Sequence, residues 1–152
     1  QRSLLIVCDA FPPDFAPRIG NLCKYLDKEY TITIVTEDHG QSLWPVEIER
    51  DRLNVIKVKM FTGNKAIDFL IKIADYIFSY RDIKLYNEVI GQIKETHFDV
   101  ILCASYYIFP LLCAKRISRR LSVPLCIDLR DIMEQNAKPK GWENFTQFFK
   151  LR

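Results

Sequence analysis

Three clusters of polar and aromatic residues stand at the ends of apolar runs that predict buried strands. They are DAFPPDFAPR at residues 9–18, SYY at residues 105–107 and IDLRD at residues 127–131. In an open α/β sheet, ligands bind outside the carboxyl ends of the strands, where the strand order reverses. We therefore expect these loops to converge on one cleft, with hydroxyl, carboxylate and guanidinium groups suited to a sugar or a phosphate.

The first loop is stiff and ends on a cation. Pro12 and Pro13 fix the backbone φ angle, and a loop that is ordered before its ligand arrives binds at a lower cost in entropy. Arg18 lies in the first turn of the next predicted helix, about 100° from its apolar stripe. A guanidinium beside the free N–H groups of a helix start binds phosphate or carboxylate. The alternative is a surface ion pair between Arg18 and Asp14.

The other two loops offer complementary groups. Asp128 and Arg130 have the same strand parity, so their side chains can share a face, where the carboxylate would accept hydrogen bonds from sugar hydroxyls and the arginine would meet a phosphate. A helix-capping acid with a structural ion pair explains the same residues. Ser105, Tyr106 and Tyr107 offer hydroxyls and aromatic faces for a sugar ring, although tyrosines after a strand also serve as packing residues.

Motifs for several other activities are absent from the sequence. It lacks G-x-G-x-x-G and G-x-x-x-x-G-K-[ST], which argues against a dehydrogenase and a P-loop NTPase. Neither histidine has a recognisable nucleophile partner. The five cysteines form no C-x-x-C pair, so we expect packing residues in a reducing compartment and no metal site. The net charge of +3 is too small to indicate a nucleic-acid partner.

Five apolar runs predict strands. Four of them lack alternation, as strands covered on both faces do, and these are residues 4–8, 31–36, 99–104 and 124–128. The fifth, residues 53–59, alternates and predicts an edge strand.

Helical patterns separate these strands, at residues 17–26, at residues 65–94 with a break near 80–82, and at residues 108–121. This alternation predicts an α/β domain with a Rossmann-like, mostly parallel sheet, helices on both faces and strand order 3-2-1-4-5. Residues 65–86 are apolar and aromatic with interspersed lysines. We interpret this segment as a helix that covers the sheet, with contact to a membrane surface as the alternative.

Two blocks of the sequence resemble family-4-type glycosyltransferases of the GT-B fold. The block LLIVCDAFPPDFAPRIGNLCKYLDKEYTITIVT, residues 4–36, is similar to the opening strand, proline turn, helix and second strand of that family. The block FDVILCASYYIFPLLCAKRISRRLSVPLCIDLRD, residues 98–131, is similar to its later strand–helix–strand unit. Both blocks keep the order and spacing of the family.

The resemblance implies that residues 1–152 form the N-terminal Rossmann-like, acceptor-side domain, one half of a GT-B fold. The C-terminal domain, which binds the nucleotide-sugar donor, would be absent from this chain, and the fragment alone would be inactive. The implied enzyme is a hexosyltransferase-type glycosyltransferase of polysaccharide biosynthesis that needs no metal and no cofactor, because the nucleotide sugar is a substrate. Its acceptor would be a polysaccharide or a lipid-linked glycan. The alternative is a self-contained, non-catalytic flavodoxin-like or nucleotide-binding module.

No catalytic residue is assigned. The expected cleft residues come from the three loops, and they are Phe11, Pro12, Pro13, Asp14, Arg18, Ser105, Tyr106, Asp128, Arg130 and Asp131. The sequence departs from the family pattern at two places: Ala16 and Pro17 stand where many members have two glycines, and the loop after the last strand lacks the histidine that many members have.

The sequence also bears on location. Its longest uncharged run, residues 100–114, is shorter than the roughly 20 residues that cross a bilayer, and no signal peptide is recognisable. From Gln1 and the uncapped last segment we expect a fragment of a longer protein. We expect a cytoplasmic protein, with peripheral contact to the inner face of the cell membrane as a further expectation.

Overall fold

The apolar runs of the sequence form a five-stranded parallel sheet. The computed structural model describes residues 2–10, 17–39, 53–105 and 108–129. In chain order the strands are β1 (Arg2–Cys8), β2 (Tyr30–Glu37), β3 (Leu53–Val58), β4 (Val100–Ser105) and β5 (Leu125–Leu129). They lie side by side in the order β3-β2-β1-β4-β5, and every neighbouring pair is parallel. The predicted fold class, strand order and edge position of β3 are confirmed.

The central strand β1 is covered on both faces. Its Ile6 lies opposite Ile34 of β2 and Leu102 of β4. The residues from Leu5 to Cys8 are fully buried, so successive side chains enter the two opposite cores. This is why the strand reads as a continuous apolar run rather than an alternating one.

Helices pack on both faces of the sheet. The described helices are α1 (Pro17–Leu26), α2 (Lys65–Phe78), α3 (Tyr80–Ile93) and α4 (Leu111–Leu121), and of these α1, α3 and α4 pack on the sheet. On one face, α3 and α4 enclose a core that includes Leu5, Val7 and Ile117. On the other face, Ile19 and Cys23 of α1 pack in a smaller core beside β1 and β2.

The long helical segment breaks at Ser79, whose φ of 53° places it in the left-handed region between α2 and α3. The predicted break is therefore confirmed within one residue. The interpretation that this segment covers the sheet is right for α3, which buries Leu85 and Val89, but wrong for α2, which buries none of its residues. None of the helices in the described ranges has the length and apolar character needed to cross a membrane.

Candidate functional site

The carboxyl ends of β1, β4 and β5 lie side by side where the strand order reverses. The register places Cys8 of β1 beside Ala104, and Ser105 beside Leu129. Neighbouring strands are about 4.8 Å apart, so residues far apart in the sequence meet at this edge. α1 begins at the same edge, because it follows β1 in the chain.

An ion pair joins two of the residues that the sequence predicts for the cleft. The Nη2 atom of Arg18, in the first turn of α1, donates a hydrogen bond to Oδ1 of Asp128 at 3.1 Å. The Arg18 side chain is 64% exposed and that of Asp128 is 24% exposed. The partner that the sequence suggested for Arg18, Asp14, lies outside the described residues. The two residues in contact are 110 positions apart in the sequence, and the arginine side chain is exposed to solvent.

A groove of about 350 Å³ lies beside this ion pair. Arg18 and Asp128 form its charged end, while Leu22 and Tyr25 of α1 and Leu102 of β4 contribute apolar wall. Tyr25 is 77% exposed, so its ring is accessible to a ligand. The groove thus combines a carboxylate, a guanidinium and an exposed aromatic ring, which are the groups that bind sugar hydroxyls and the apolar faces of sugar rings.

Sequence reasoning missed the apolar residues of the groove. Ile19 and Leu22 fit the apolar stripe of the predicted helix and were expected to be buried, and nothing distinguished Tyr25 or Leu102. The alternation of side chains along a strand could have indicated Leu102. Ala104 pairs with Asp128, and Leu102, two residues before Ala104 on β4, lies on the same face of the sheet. No comparable signal exists for Tyr25.

Ser105 is not brought to the ion pair. It is buried, and its hydroxyl donates a hydrogen bond to the carbonyl oxygen of Phe109 at 3.0 Å. Its strand parity also places it on the sheet face opposite to that of Asp128. The remaining predicted cleft residues lie outside the described residues, and their placement stays a prediction: Phe11, Pro12, Pro13, Asp14, Tyr106, Arg130 and Asp131.

A second polar cluster, which the sequence did not predict, lies at the carboxyl end of β2. Arg81 donates from Nη1 to Oε2 of Glu37 at 3.1 Å and from Nε to Oδ2 of Asp75 at 2.9 Å. Its guanidinium also lies over the Phe109 ring, 4.4 Å from the ring centre. Burial raises the pKa of Glu37, and the Arg81 charge opposes this shift. The cluster ties α2, α3 and β2 together, so we assign it a structural role.

Asp82 caps a helix other than its own. This buried carboxylate on α3 accepts a hydrogen bond from the backbone N–H of Cys113 at 2.8 Å, at the start of α4. The residue before α4, Pro110, makes no side-chain cap. Burial raises the pKa of Asp82 to about 6, although the backbone N–H group of Cys113 favours its charged form.

The buried cysteines are packing residues. Burial raises the pKa of Cys23 and of Cys103 to about 12, and it also raises the pKa of Cys8 and of Cys113. These thiols are therefore protonated at neutral pH and are poor nucleophiles. Within the described ranges, no three His, Cys, Asp or Glu side chains lie close enough together to hold a metal ion.

No protein-family model and no curated protein matches the sequence. Solved structures match the fold. Two crystal structures of the C-terminal domain of PF1911 hydrogenase from Pyrococcus furiosus have TM-scores of 0.56 and 0.51, with 13% and 11% sequence identity. Each match covers 84% of this chain and 91% of the hydrogenase domain.

A glycosyltransferase shares the fold as well. The UDP-glucosyltransferase from Polygonum tinctorium capable of glucosylating indoxyl, in complex with 3,4-dichloroaniline, has a TM-score of 0.50 and 12% identity. The match covers 89% of this chain but 31% of the enzyme. At such identities the likeness shows the α/β fold alone, shared by a hydrogenase domain and by part of a glycosyltransferase.

Proposed function

We propose that the chain is the acceptor-side domain of a glycosyltransferase, which moves a hexose from a nucleotide sugar to a polysaccharide or lipid-linked acceptor. The observation that supports this most directly is the Arg18–Asp128 pair at the end of an open groove, 3.1 Å apart, at the sheet edge where α/β domains bind ligands. The proposal places the domain in the cytoplasm, in polysaccharide biosynthesis.

The groove suits an acceptor sugar. The carboxylate of Asp128 would accept a hydrogen bond from a sugar hydroxyl, while Arg18 keeps further N–H donors besides the one that contacts Asp128. The exposed ring of Tyr25 would pack on the apolar face of the sugar. These residues bind and orient the acceptor, and no catalytic residue is assigned among them.

The donor would bind outside this chain. The chain matches 31% of the length of the Polygonum glucosyltransferase, as expected of one lobe of a larger enzyme. The nucleotide sugar would then lie on a second domain, opposite the groove. Neither a metal ion nor another cofactor enters the proposal.

Substitution of Arg18 tests the proposal in the protein encoded by the complete reading frame. UDP-glucose, UDP-galactose, GDP-mannose and dTDP-rhamnose serve as donors, n-octyl glucoside serves as the acceptor, and release of nucleoside diphosphate is measured. We expect Arg18→Ala to lower kcat/KM by about 10- to 100-fold, the effect of losing a charged hydrogen bond to substrate. The melting temperature should stay unchanged, because exposed ion pairs contribute little to stability.

The control is Lys24→Ala, which removes an exposed cation from the other end of α1 and should leave kcat/KM unchanged. Wild-type turnover in both Arg18→Ala and Asp128→Asn would show that the ion pair does not contact substrate. Absence of transfer from every donor by the wild-type protein would count against the transferase itself.

A second candidate is a self-contained, non-catalytic α/β module. The PF1911 domains favour it, because the match covers 91% of their length and so nearly a complete domain. The reading frame distinguishes the two. A second Rossmann-like domain with paired glutamates after Arg152 supports the transferase, whereas a stop codon directly after Arg152 supports the module.

A further inference from the structure

Helix α2 exposes most of its large apolar side chains. Residues Ile67, Phe69, Leu70, Ile73, Ile77 and Phe78 are each between 41% and 69% exposed. The helix buries none of its 14 residues. Its amphipathic character is therefore not used to cover the sheet, unlike that of α3.

The apolar stripe of α2 points away from the domain. At 100° per residue, Phe69, Leu70, Ile73 and Ile77 fall within an arc of about 100°. Asp68 and Asp75 lie on the opposite side of the helix, and that side faces the protein. The usual arrangement of a surface helix, with the apolar side inward, is thus reversed.

Specific bonds hold the helix in this orientation. Asp68 accepts hydrogen bonds from the backbone N–H of Thr62 at 2.7 Å and of Gly63 at 3.1 Å, and from the Thr62 hydroxyl at 2.9 Å. Asp75 accepts two from Arg81. Rotation of α2 to bury its stripe would break all of these bonds, so the outward stripe is built into the fold.

Cations border the stripe. Lys65 and Lys72 are exposed and lie next to Phe69 on the helix surface, and the ammonium of Lys72 lies over the Phe61 ring, 5.9 Å from the ring centre. On the edge strand β3 and just after it, Lys57 and Lys59 are exposed as well. Both acids of α2 are bound to the protein, so the outward surface of the helix has an apolar centre with lysines along one side.

We propose that α2 lies in the plane of a membrane surface, with its apolar stripe among the lipid chains and its lysines on anionic headgroups. At roughly 21 Å, the helix is too short to span the hydrocarbon layer of about 30 Å. An apolar stripe bordered by lysines complements an anionic lipid surface. This contact requires no sugar transfer and stands or fails separately from the proposed function.

Vesicle co-sedimentation of the full chain tests the contact, with vesicles of phosphatidylcholine alone or mixed with phosphatidylglycerol. We expect the chain to bind the mixed vesicles more strongly. Phe69→Ser with Ile73→Ser should lower binding about tenfold or more, because two large side chains no longer enter the lipid. Both positions are exposed, so folding should be unaffected, and circular dichroism checks this. Ile127→Ser, which removes an exposed apolar side chain from β5, is the control and should bind as wild type.

A second pair of variants tests the role of charge. Lys65→Gln with Lys72→Gln should weaken binding to the mixed vesicles but not to vesicles of phosphatidylcholine. The control Arg119→Gln with Arg120→Gln, which removes two exposed cations from α4, should leave binding to both kinds of vesicle unchanged. Loss of binding in the α4 variant but not in the α2 variants would overturn the proposal. So would failure of the chain to bind either kind of vesicle. Light scattering measures whether the chain forms a dimer. If it does, and if Phe69→Ser with Ile73→Ser converts the dimer to a monomer, the partner of α2 is a second copy of the chain and not lipid.

Discussion

The ion pair between Arg18 and Asp128 contributes little to the stability of the fold. Its arginine is mostly exposed, and such pairs contribute about 0–1 kcal/mol to folding. Sequence reasoning selected both residues, since Arg18 lies beyond the loop after the first predicted strand and Asp128 ends the last one. It did not predict that they pair, because contact between residues 110 positions apart depends on strand order and register together.

Asp82 predicts a pH dependence of stability at the residue scale. Its folded pKa of about 6 lies above the usual value, so between about pH 4 and 6 the folded chain holds a proton that the unfolded chain has released. Stability therefore falls as the pH rises through this window, by about 3 kcal/mol at most for this group. Asp82→Asn should make that fall smaller.

Urea unfolding at pH 4.5 and pH 7 measures this effect. The exposed Glu95 provides the control, since Glu95→Gln should leave the wild-type difference in unfolding free energy between the two pH values intact. Some fall should persist in Asp82→Asn, because burial also raises the pKa of Glu37. An Asp82→Asn chain with the full wild-type difference would contradict the assignment.

At the scale of elements, strands were the most predictable part. The buried strands read as continuous apolar runs, and their observed ends differ from the predicted ones by no more than two residues. The orientation of α2 was not predictable, because its amphipathic pattern fits an inward or an outward stripe equally well. The bond of Asp68 to Thr62 and that of Asp75 to Arg81 each join residues six positions apart at the two ends of α2, and hydrophobic periodicity does not encode them.

The end of α4 allows a test of local backbone strain. Ser122 follows this helix with a φ of 56°, in the left-handed region that disfavours side chains with a Cβ atom. Ser122→Gly should stabilise the chain by about 0.5–1 kcal/mol, the relief of strain less the entropy that glycine loses on folding. Thermal unfolding should show a rise of about 1–4 °C. The control Lys115→Gly lies in the right-handed part of α4 and should lower the melting temperature instead. An equal loss of melting temperature in both variants would contradict the strain at Ser122.

At the scale of the whole molecule, the strand order brings the carboxyl ends of β1, β4 and β5 together. β1 lies between β2 and β4. The chain therefore runs from β1 through α1 to β2 on one side of β1, while β4 and β5 lie on its other side. The sequence alone supported this topology, because alternating strands and helices with an exposed third strand allow few other orders. It did not reveal the groove itself, whose apolar wall depends on how α1 packs beside β4.

Nuclear magnetic resonance of the ¹⁵N-labelled chain tests the central claim most directly. The methyl glycosides of glucose, galactose, mannose and rhamnose are titrated to millimolar concentrations, and amide shifts are followed. We predict that at least one sugar shifts the amides of Arg18, Tyr25, Leu102 and Asp128, and that Asp128→Asn weakens this response. Shifts confined to surfaces away from the groove, or no shift with any of the four sugars, would contradict an acceptor site between α1 and β5.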